Sequence, residues 1–248
     1  MTPLEAAAVL AAGVGAGGIN AVVGSGSLIT FPTLVAIGYP PVVANVSNNI
    51  GLVPGGVTGV LGYRAELTGQ RARLVRLGTG SVLGSLVGGF LLLWLPESAF
   101  KVIVPALIAV ALVLVVIQPW LNQRLVRRRA HAVAGPWLWL CVFAAGMYGG
   151  YFGAAQGVVL IGMMGLFLDE SLQRLNAAKN LLSLLVNTAA AVLFVLIAEV
   201  DWTVVALIAI GSAVGGFLGA RIGRRLPAPL LRGVIVVVGV LAIIKLLS

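Results

Sequence analysis

Stretches of apolar residues alternate with short polar or charged segments along the chain, and this pattern predicts ten membrane segments. Before the middle of the chain they cover about 4–23, 27–38, 42–62, 75–95 and 101–119. After it they cover about 137–154, 158–168, 173–198, 203–220 and 230–247. A helix needs roughly 20 apolar residues to cross a bilayer core about 30 Å thick. At about 1.5 Å per residue, 27–38 and 158–168 cover only about half of that distance.

These segments predict helices, because backbone groups in lipid must find their hydrogen bonds within the segment. Strands of a membrane barrel would alternate polar and apolar residues, and stretches such as 102–120 do not. Composition agrees with a membrane protein, since 60% of the 248 residues are apolar and only 9% are charged. A soluble domain carries roughly 25% charged residues. The predicted fold class is therefore an all-α polytopic membrane protein.

The amino-terminal segment has an alternative interpretation, because residues 4–23 could form a cleaved signal peptide. A signal peptide usually begins with a basic region, whereas this segment begins with Glu5. It also takes part in an internal repeat. We therefore interpret it as the first membrane segment.

Two halves of the chain resemble each other at a constant offset of 131 residues, as Gly26 and Gly157 illustrate. The matching residues are mostly Gly, Asn, Ser or Pro and not the abundant Leu, Val and Ala. Further pairs are Gly15 with Gly146, Gly18 with Gly149, Asn45 with Asn176, Asn49 with Asn180, Gly84 with Gly215 and Gly88 with Gly219. Weak internal symmetry of this kind is common among transporters.

Charged loops predict that the two repeats have inverted topology. The loop after 42–62 contains four Arg residues, whereas its counterpart after 173–198 contains Glu199 and Asp201. The following loops show the opposite bias, and basic loops are usually cytoplasmic. We predict a first transmembrane repeat at 1–119, a basic cytoplasmic linker at 120–136 and a second repeat at 137–248. The net charge of +9 fits such loops, so we expect no nucleic-acid partner.

The five Trp residues lie at or near the ends of the predicted segments, where an aromatic belt is expected. They are Trp94, Trp120, Trp137, Trp139 and Trp202. Core packing would not favour segment ends. The Trp positions therefore support the predicted boundaries.

Two glycine-rich stretches precede the short segments and form the first candidate site. They are Gly24-Ser25-Gly26-Ser27 in the first repeat and residues 153–157, which end in Gln156-Gly157, in the second. Glycine permits conformations that break a helix. A helix that begins inside the membrane presents free N–H groups and a positive dipole end to an anion. The alternative is that these glycines only allow close helix packing, which is the interpretation for the Gly80–Gly84–Gly88 and Gly211–Gly215–Gly219 series.

Polar residues in the following segments form the second candidate site. They are Asn45, Asn48 and Asn49 in the first repeat and Asn176, Lys179 and Asn180 in the second. Within each repeat two asparagines are spaced i, i+4, Asn45 with Asn49 and Asn176 with Asn180, so both lie on one helical face. Asn can donate to oxyanion oxygens, and Lys179 adds a cation at this depth. Alternatively, Lys179 extends its ammonium to the membrane interface, and we interpret Arg174 as an interfacial anchor.

The remaining chemistry excludes several classes of function. All seven acidic residues lie near predicted segment ends, which disfavours a buried proton relay, a carboxylate Na⁺ site or an acidic cation channel. One Cys and one His, Cys141 and His131, provide no metal-binding or catalytic cluster. Enzyme motifs with a plausible structural context are absent from the sequence. We predict no enzyme activity, no metal and no cofactor.

Several stretches together resemble the sulfite exporter TauE/SafE family, also described as sulfonate-uptake permease-like. In the first half they are 18–32 (GINAVVGSGSLITFP) and Ala44-Asn45. In the second half they are 149–157 (GGYFGAAQG), 176–180 (NAAKN) and 219–226 (GARIGRRL). The resemblance covers nearly the whole chain and implies duplicated halves that export or import sulfite, sulfonates or related sulfur anions.

The sequence therefore predicts a transporter of small sulfur-containing anions that works by alternating access. The substrate would lie between the two repeats, and the protein would be a multi-pass component of the inner (plasma) membrane in contact with the lipid bilayer. A carrier for another anion such as a carboxylate, a passive anion channel and a non-transporting scaffold stay open as alternatives. The direction of transport, the coupling ion and the oligomeric state also stay open.

Overall fold

The computed structural model describes residues 1–127, 135–222 and 228–247, which contain ten α-helices and no strand. A short 3-10 turn, Arg64–Leu67, lies between the third and fourth helices. In chain order the helices are α1 Pro3–Val22, α2 Ser27–Ile37, α3 Pro41–Gly62, α4 Arg71–Trp94, α5 Glu97–Arg127, α6 Pro136–Tyr151, α7 Gln156–Phe167, α8 Leu172–Ile197, α9 Trp202–Ile222 and α10 Ala228–Leu247. Each predicted membrane segment coincides with one of these helices.

Helix α5 continues to Arg127, beyond the predicted fifth segment at about 101–119, and its part that is apolar enough to cross a membrane ends at Leu121. Helix α5 contains Pro105 and Pro119 in its interior, and membrane helices tolerate proline because neighbouring groups satisfy the freed backbone atoms. Trp120 therefore lies within a helix, next to the end of its candidate membrane-spanning part. The first part of the predicted linker 120–136 is helical, and the predicted basic positions Arg128 and Arg129 lie outside the described residues.

Local sequence signals set the starts of several helices. Thr2 and Glu5 form a capping box, in which the Thr2 hydroxyl accepts from the Glu5 backbone N–H and the Glu5 carboxylate accepts from that of Thr2. Ser171 accepts from the Arg174 N–H at 3.4 Å at the start of α8. Asp201 accepts from the Val204 N–H at 3.0 Å at the start of α9. These side chains satisfy N–H groups that lack a partner in the first helical turn.

Glycines bring two repeat-related helix pairs into close contact. Helix α1 packs along α9, and α6 packs along α4. A Cβ atom at Gly211 would lie 2.5 Å from the Leu10 carbonyl oxygen, and one at Gly84 would lie 2.8 Å from the Met147 nitrogen. Neither position has room for a side chain, so the close-packing interpretation of these two glycine series is confirmed.

Among the described residues, five helices are long and apolar enough to cross a membrane. They are α1, α4, the Ser98–Leu121 part of α5, α8 and α9. Large apolar side chains on them face outward, and Val102 and Leu196 are each 76% exposed. Such exposure is unfavourable in water but not in lipid. Helices α2 and α7 are shorter, as their sequences predicted.

Loop contacts place two oppositely charged loops at opposite ends of α3. The Asp201 backbone N–H donates to the Ser47 hydroxyl at 3.1 Å, beside the first two turns of α3. At the other end, the Arg174 guanidinium donates to the Thr68 carbonyl at 3.1 Å. Arg174 also contacts Glu170 at 2.6 Å, and Glu170 contacts Arg73 at 2.8 Å. The inverted repeat itself stays a prediction.

Candidate functional site

Two helix breaks occupy equivalent positions in the repeats. In the first repeat, α1 ends at Val22 and α2 begins at Ser27; in the second, α6 ends at Tyr151 and α7 begins at Gln156. Gly24 has φ of +86°, and the second break contains Gly153 at +76° and Ala155 at +56°. Glycine adopts this left-handed conformation without a steric penalty, whereas alanine does so rarely.

The two breaks contact each other directly. The Gly157 N–H donates to the Gly24 carbonyl oxygen at 3.0 Å. A Cβ atom at either glycine would lie 2.5 Å from the Cα of the other, so neither position accepts a side chain. The structure thus brings together the glycine stretches that the sequence singled out. It differs from the expectation in one respect, because this N–H of α7 is bonded to Gly24 and is not open to a ligand.

Lys179 crosses the junction between the breaks. Its side chain is 0% exposed, and its Cδ would lie 2.8 Å from a Cβ at Gly157 and 3.1 Å from one at Gly24. Its ammonium donates to the carbonyl oxygens of Asn20 at 2.9 Å and Ala21 at 3.3 Å. Lys179 therefore does not extend to the interface. In this conformation it also does not face an open cavity, because its ammonium donates to carbonyl groups at the carboxyl end of α1.

The carboxyl end of α1 attracts cations for two reasons. The last carbonyl groups of a helix have no partner within the helix, and the helix dipole places partial negative charge there. The second-repeat asparagines use the same acceptor, since the amide nitrogens of Asn176 and Asn180 each lie 3.2 Å from the Ala21 oxygen. With Lys179, three donors share one carbonyl oxygen that has two lone pairs. Donors therefore outnumber acceptors at this point.

The first-repeat asparagines lie at the other break. The Asn45 amide donates to the Tyr151 carbonyl at 3.0 Å, at the carboxyl end of α6. Asn45 therefore donates to the carboxyl end of α6, just as Asn176 donates to the carboxyl end of α1. Asn48 accepts a hydrogen bond from the Thr30 hydroxyl of α2. Asn49 is 8% exposed.

Several buried polar atoms around the breaks lack a hydrogen-bond partner. They are Ser25 Oγ, Asn49 Oδ1, Tyr151 Oη, Gln156 Nε2 and Asn176 Oδ1. Most buried polar groups in proteins are satisfied, so such atoms require an explanation. Ser25 and Gln156 occupy equivalent positions in the two repeats, 131 residues apart.

Gly149 makes room for the Gln156 side chain. A Cβ at Gly149 would lie 2.5 Å from both amide atoms of Gln156, so the glutamine folds over this glycine. Gly26 has a packing role, because its Cβ would lie 3.0 Å from the Ala16 carbonyl carbon of α1. Ser27 is half-buried at the first position of α2.

An aromatic cluster that sequence reasoning missed covers the second break. Phe31 of α2 packs edge-on against Phe152, with ring centroids 5.2 Å apart, and Phe100 of α5 lies 6.4 Å from both rings. The Tyr148 hydroxyl donates to the Ala154 carbonyl within the same break. These rings are far apart in sequence, so the apolar pattern gave no sign that they meet.

The candidate site is closed in this conformation. Ser25 is 1% exposed and Gln156 is 3% exposed. Two cavities, of about 680 Å³ and 260 Å³, lie elsewhere along α4 and are lined by none of the predicted site residues. Ser25 and Gln156 are therefore not accessible from outside the protein in this conformation.

Comparison with known proteins identifies relatives of nearly full length. The family model described as "Sulfite exporter TauE/SafE" matches residues 9–246. The "Probable membrane transporter protein YfcA" of Escherichia coli (strain K12) is 26% identical over 240 residues, covering 94% of this chain and 86% of that protein. A "Probable membrane transporter protein" of Haemophilus influenzae is 25% identical over 233 residues, covering 92% and 89%. No solved structure is significantly similar.

Proposed function

Because this chain belongs to the sulfite exporter TauE/SafE family, we propose that it moves small sulfur-containing anions, sulfite or short organosulfonates, across the inner membrane by alternating access. Its family and its five long apolar helices make it a multi-pass membrane protein of the transporter type. The substrate and the mechanism are the proposed part. They rest on the chemistry of the two helix breaks.

The observation that carries the proposal is a fully buried lysine without an anionic partner. Among the described residues, the recorded ion pairs join Arg73 and Arg174 to Glu170, and none includes Lys179. A buried charge is costly unless it is paired. Carbonyl oxygens supply only partial compensation, and a substrate anion would supply a full countercharge. The surplus of amide donors beside Lys179 favours a ligand with several acceptor oxygens, as sulfite and sulfonates have.

Binding in this scheme is a competition between the substrate and the carboxyl end of α1. Substrate oxygens take the donors of Lys179, Asn176 and Asn180 from the Asn20 and Ala21 carbonyls. Those carbonyls regain the donors when the substrate leaves. A transporter must bind its ligand strongly enough to admit it and weakly enough to release it, and an internal competitor meets both demands. Ser25 and Gln156 provide additional polar atoms from the two breaks.

Alternating access requires that the site open to one side at a time. The contacts at opposite ends of α3 suit this requirement, because Arg73, Glu170 and Arg174 close one end while Asp201 and Ser47 close the other. Breaking one set while the other persists would expose the breaks to one side only. Site placement between two repeats, at half-helix ends, is common in transporters of this design.

Uptake of labelled sulfite into proteoliposomes tests this function. We expect saturable uptake that a short organosulfonate inhibits and acetate does not. Inhibition by acetate at similar concentration would favour the carboxylate carrier, and uptake that does not saturate would favour a channel. Absence of flux for all tested anions would favour a scaffold and contradict the proposal.

A further inference from the structure

An apolar groove lies between α4 and α8, away from the helix breaks. Its volume is about 680 Å³, and it follows α4 from Arg71 to Leu83, closed on the inner side by Leu181 and Leu185 of α8. Its depth depends on Gly78, since a Cβ there would lie 3.0 Å from Leu185 Cδ1. The twelve-residue advance from Arg71 to Leu83 corresponds to about 18 Å of helix, close to one leaflet of a bilayer core about 30 Å thick.

Apart from Arg71 at its end, the groove is lined by apolar residues and by one threonine whose hydroxyl is already hydrogen-bonded. Thr79 is the polar residue along it, and its hydroxyl already donates to the Arg76 carbonyl at 2.7 Å and accepts from the Trp139 indole at 3.0 Å. Val75 is 61% exposed and Leu83 is 49% exposed on the outer edge. The groove is therefore open sideways to lipid and is suited to a chain of methylene groups.

The end of the groove carries a cation. Arg71 is exposed at the first position of α4 and forms no ion pair or hydrogen bond with the described residues. Its neighbour Arg73 is different, because Glu170 neutralises it at 2.8 Å. A free guanidinium at the end of a leaflet-deep apolar groove matches an amphiphile with a phosphate at one end. Basic pockets between membrane helices bind anionic headgroups for this reason.

We propose that this groove is a binding site for an anionic phospholipid, with one acyl chain along α4 and α8 and the phosphate at Arg71. A fatty acid shares part of this chemistry, but a phospholipid supplies a phosphate for Arg71, which begins a helix that is long and apolar enough to cross the membrane. A helix from a second copy is a poorer match, because a free cation at one end of an otherwise apolar groove requires an anion. The proposal does not depend on the transported substrate.

Native mass spectrometry of the purified full chain tests the site, with phosphatidylglycerol, phosphatidylcholine of the same chains, and oleate as probes. We expect phosphatidylglycerol to be retained at least about tenfold more tightly than phosphatidylcholine, a difference of about 1.4 kcal/mol. Arg71→Gln should remove that preference. Arg64→Gln is the matched control, because Arg64 is an exposed arginine of the same loop that does not line the groove.

A second pair of variants tests the groove itself. Val75→Trp fills it from the outer edge and should reduce retention of phosphatidylglycerol. Val87→Trp, at another outward position of α4 that is 42% exposed, should not. Equal retention of the two phospholipids, or unchanged retention in Arg71→Gln, would overturn the proposal. Tighter retention of oleate than of phosphatidylglycerol would assign the groove to fatty acids. A change of oligomeric state in Val75→Trp but not in Val87→Trp would assign it to a second copy of the chain. Either result would overturn the proposal of a phospholipid site.

Discussion

The Gly157 N–H donates to the Gly24 carbonyl oxygen at 3.0 Å, and this bond joins the two repeats at their helix breaks. Lys179 lies against both glycines. A change at either glycine therefore alters the junction and the cation together.

Substitution of either junction glycine by alanine should destabilise the protein and reduce transport. In Gly24→Ala the new Cβ would lie 2.5 Å from Gly157 Cα, and φ of +86° would be strained. Left-handed strain costs roughly 1–2 kcal/mol, and overpacking typically adds about 1–3 kcal/mol. Thermal unfolding in detergent measures the loss. Gly15→Ala is the control, because its nearest neighbour would be 3.8 Å away; equal stability of the two variants would contradict the packing argument.

Asn180→Asp should weaken anion binding while the protein stays folded. The Asn180 amide nitrogen and the Lys179 ammonium lie within 3.3 Å of the same Ala21 oxygen. A carboxylate at position 180 would therefore supply Lys179 with an internal countercharge. We expect the KM for sulfite uptake to rise at least about tenfold, or about 1.4 kcal/mol. Asn180→Ser, which stays neutral, should have a smaller effect. Equal KM values in the two variants would mean that the charge of Lys179 does not attract the substrate.

Stability should fall in acid because of Glu170. Burial raises the pKa of this carboxyl. The hydrogen bonds and positive charges of Arg73 and Arg174 together lower the pKa by more than burial raises it, so the folded pKa lies below 4.5. Its contribution to stability is therefore complete above that unfolded value and is lost as pH falls through the folded pKa. Thermal unfolding measured from pH 7 downward should show this loss below about pH 4.5. Glu170→Gln should remove this loss of thermal stability in acid. If the variant loses as much stability as the wild type over the same pH range, Glu170 is not its cause.

Cysteine labelling tests the inverted topology. Cys141 is half-buried and would first be replaced by Ala. An impermeant maleimide added to intact cells should label Glu199→Cys, whereas Arg71→Cys should react only after permeabilisation. Labelling of both from the same side would exclude inverted repeats.

The sequence predicted the helices well because apolar runs, glycines and flanking charges are local signals. It also identified both breaks and the polar residues beside them. It did not predict where those polar side chains bind, since Lys179 and its acceptor Asn20 are far apart in the chain. From sequence, a lysine on an apolar helix is expected to reach the membrane interface or a water-filled cavity. The carbonyl groups at the end of α1 become its partners only when α1 and α8 pack together. The contact of Phe31 with Phe152 was missed for the same reason.

Removal of the Lys179 charge tests the central claim most directly. Lys179→Met keeps an unbranched side chain between Gly24 and Gly157 but removes the ammonium, and Lys179→Arg keeps the charge in a planar group that does not replace a compact ammonium. Isothermal titration of the purified protein with sulfite measures the affinity, and Arg221→Met, an exposed arginine over Phe217, is the control. We predict that Lys179→Met weakens binding by about 1.5–3 kcal/mol, the value of a charge-assisted hydrogen bond, that Lys179→Arg rescues it poorly, and that Arg221→Met leaves it unchanged. Wild-type affinity in a folded Lys179→Met protein would contradict the account.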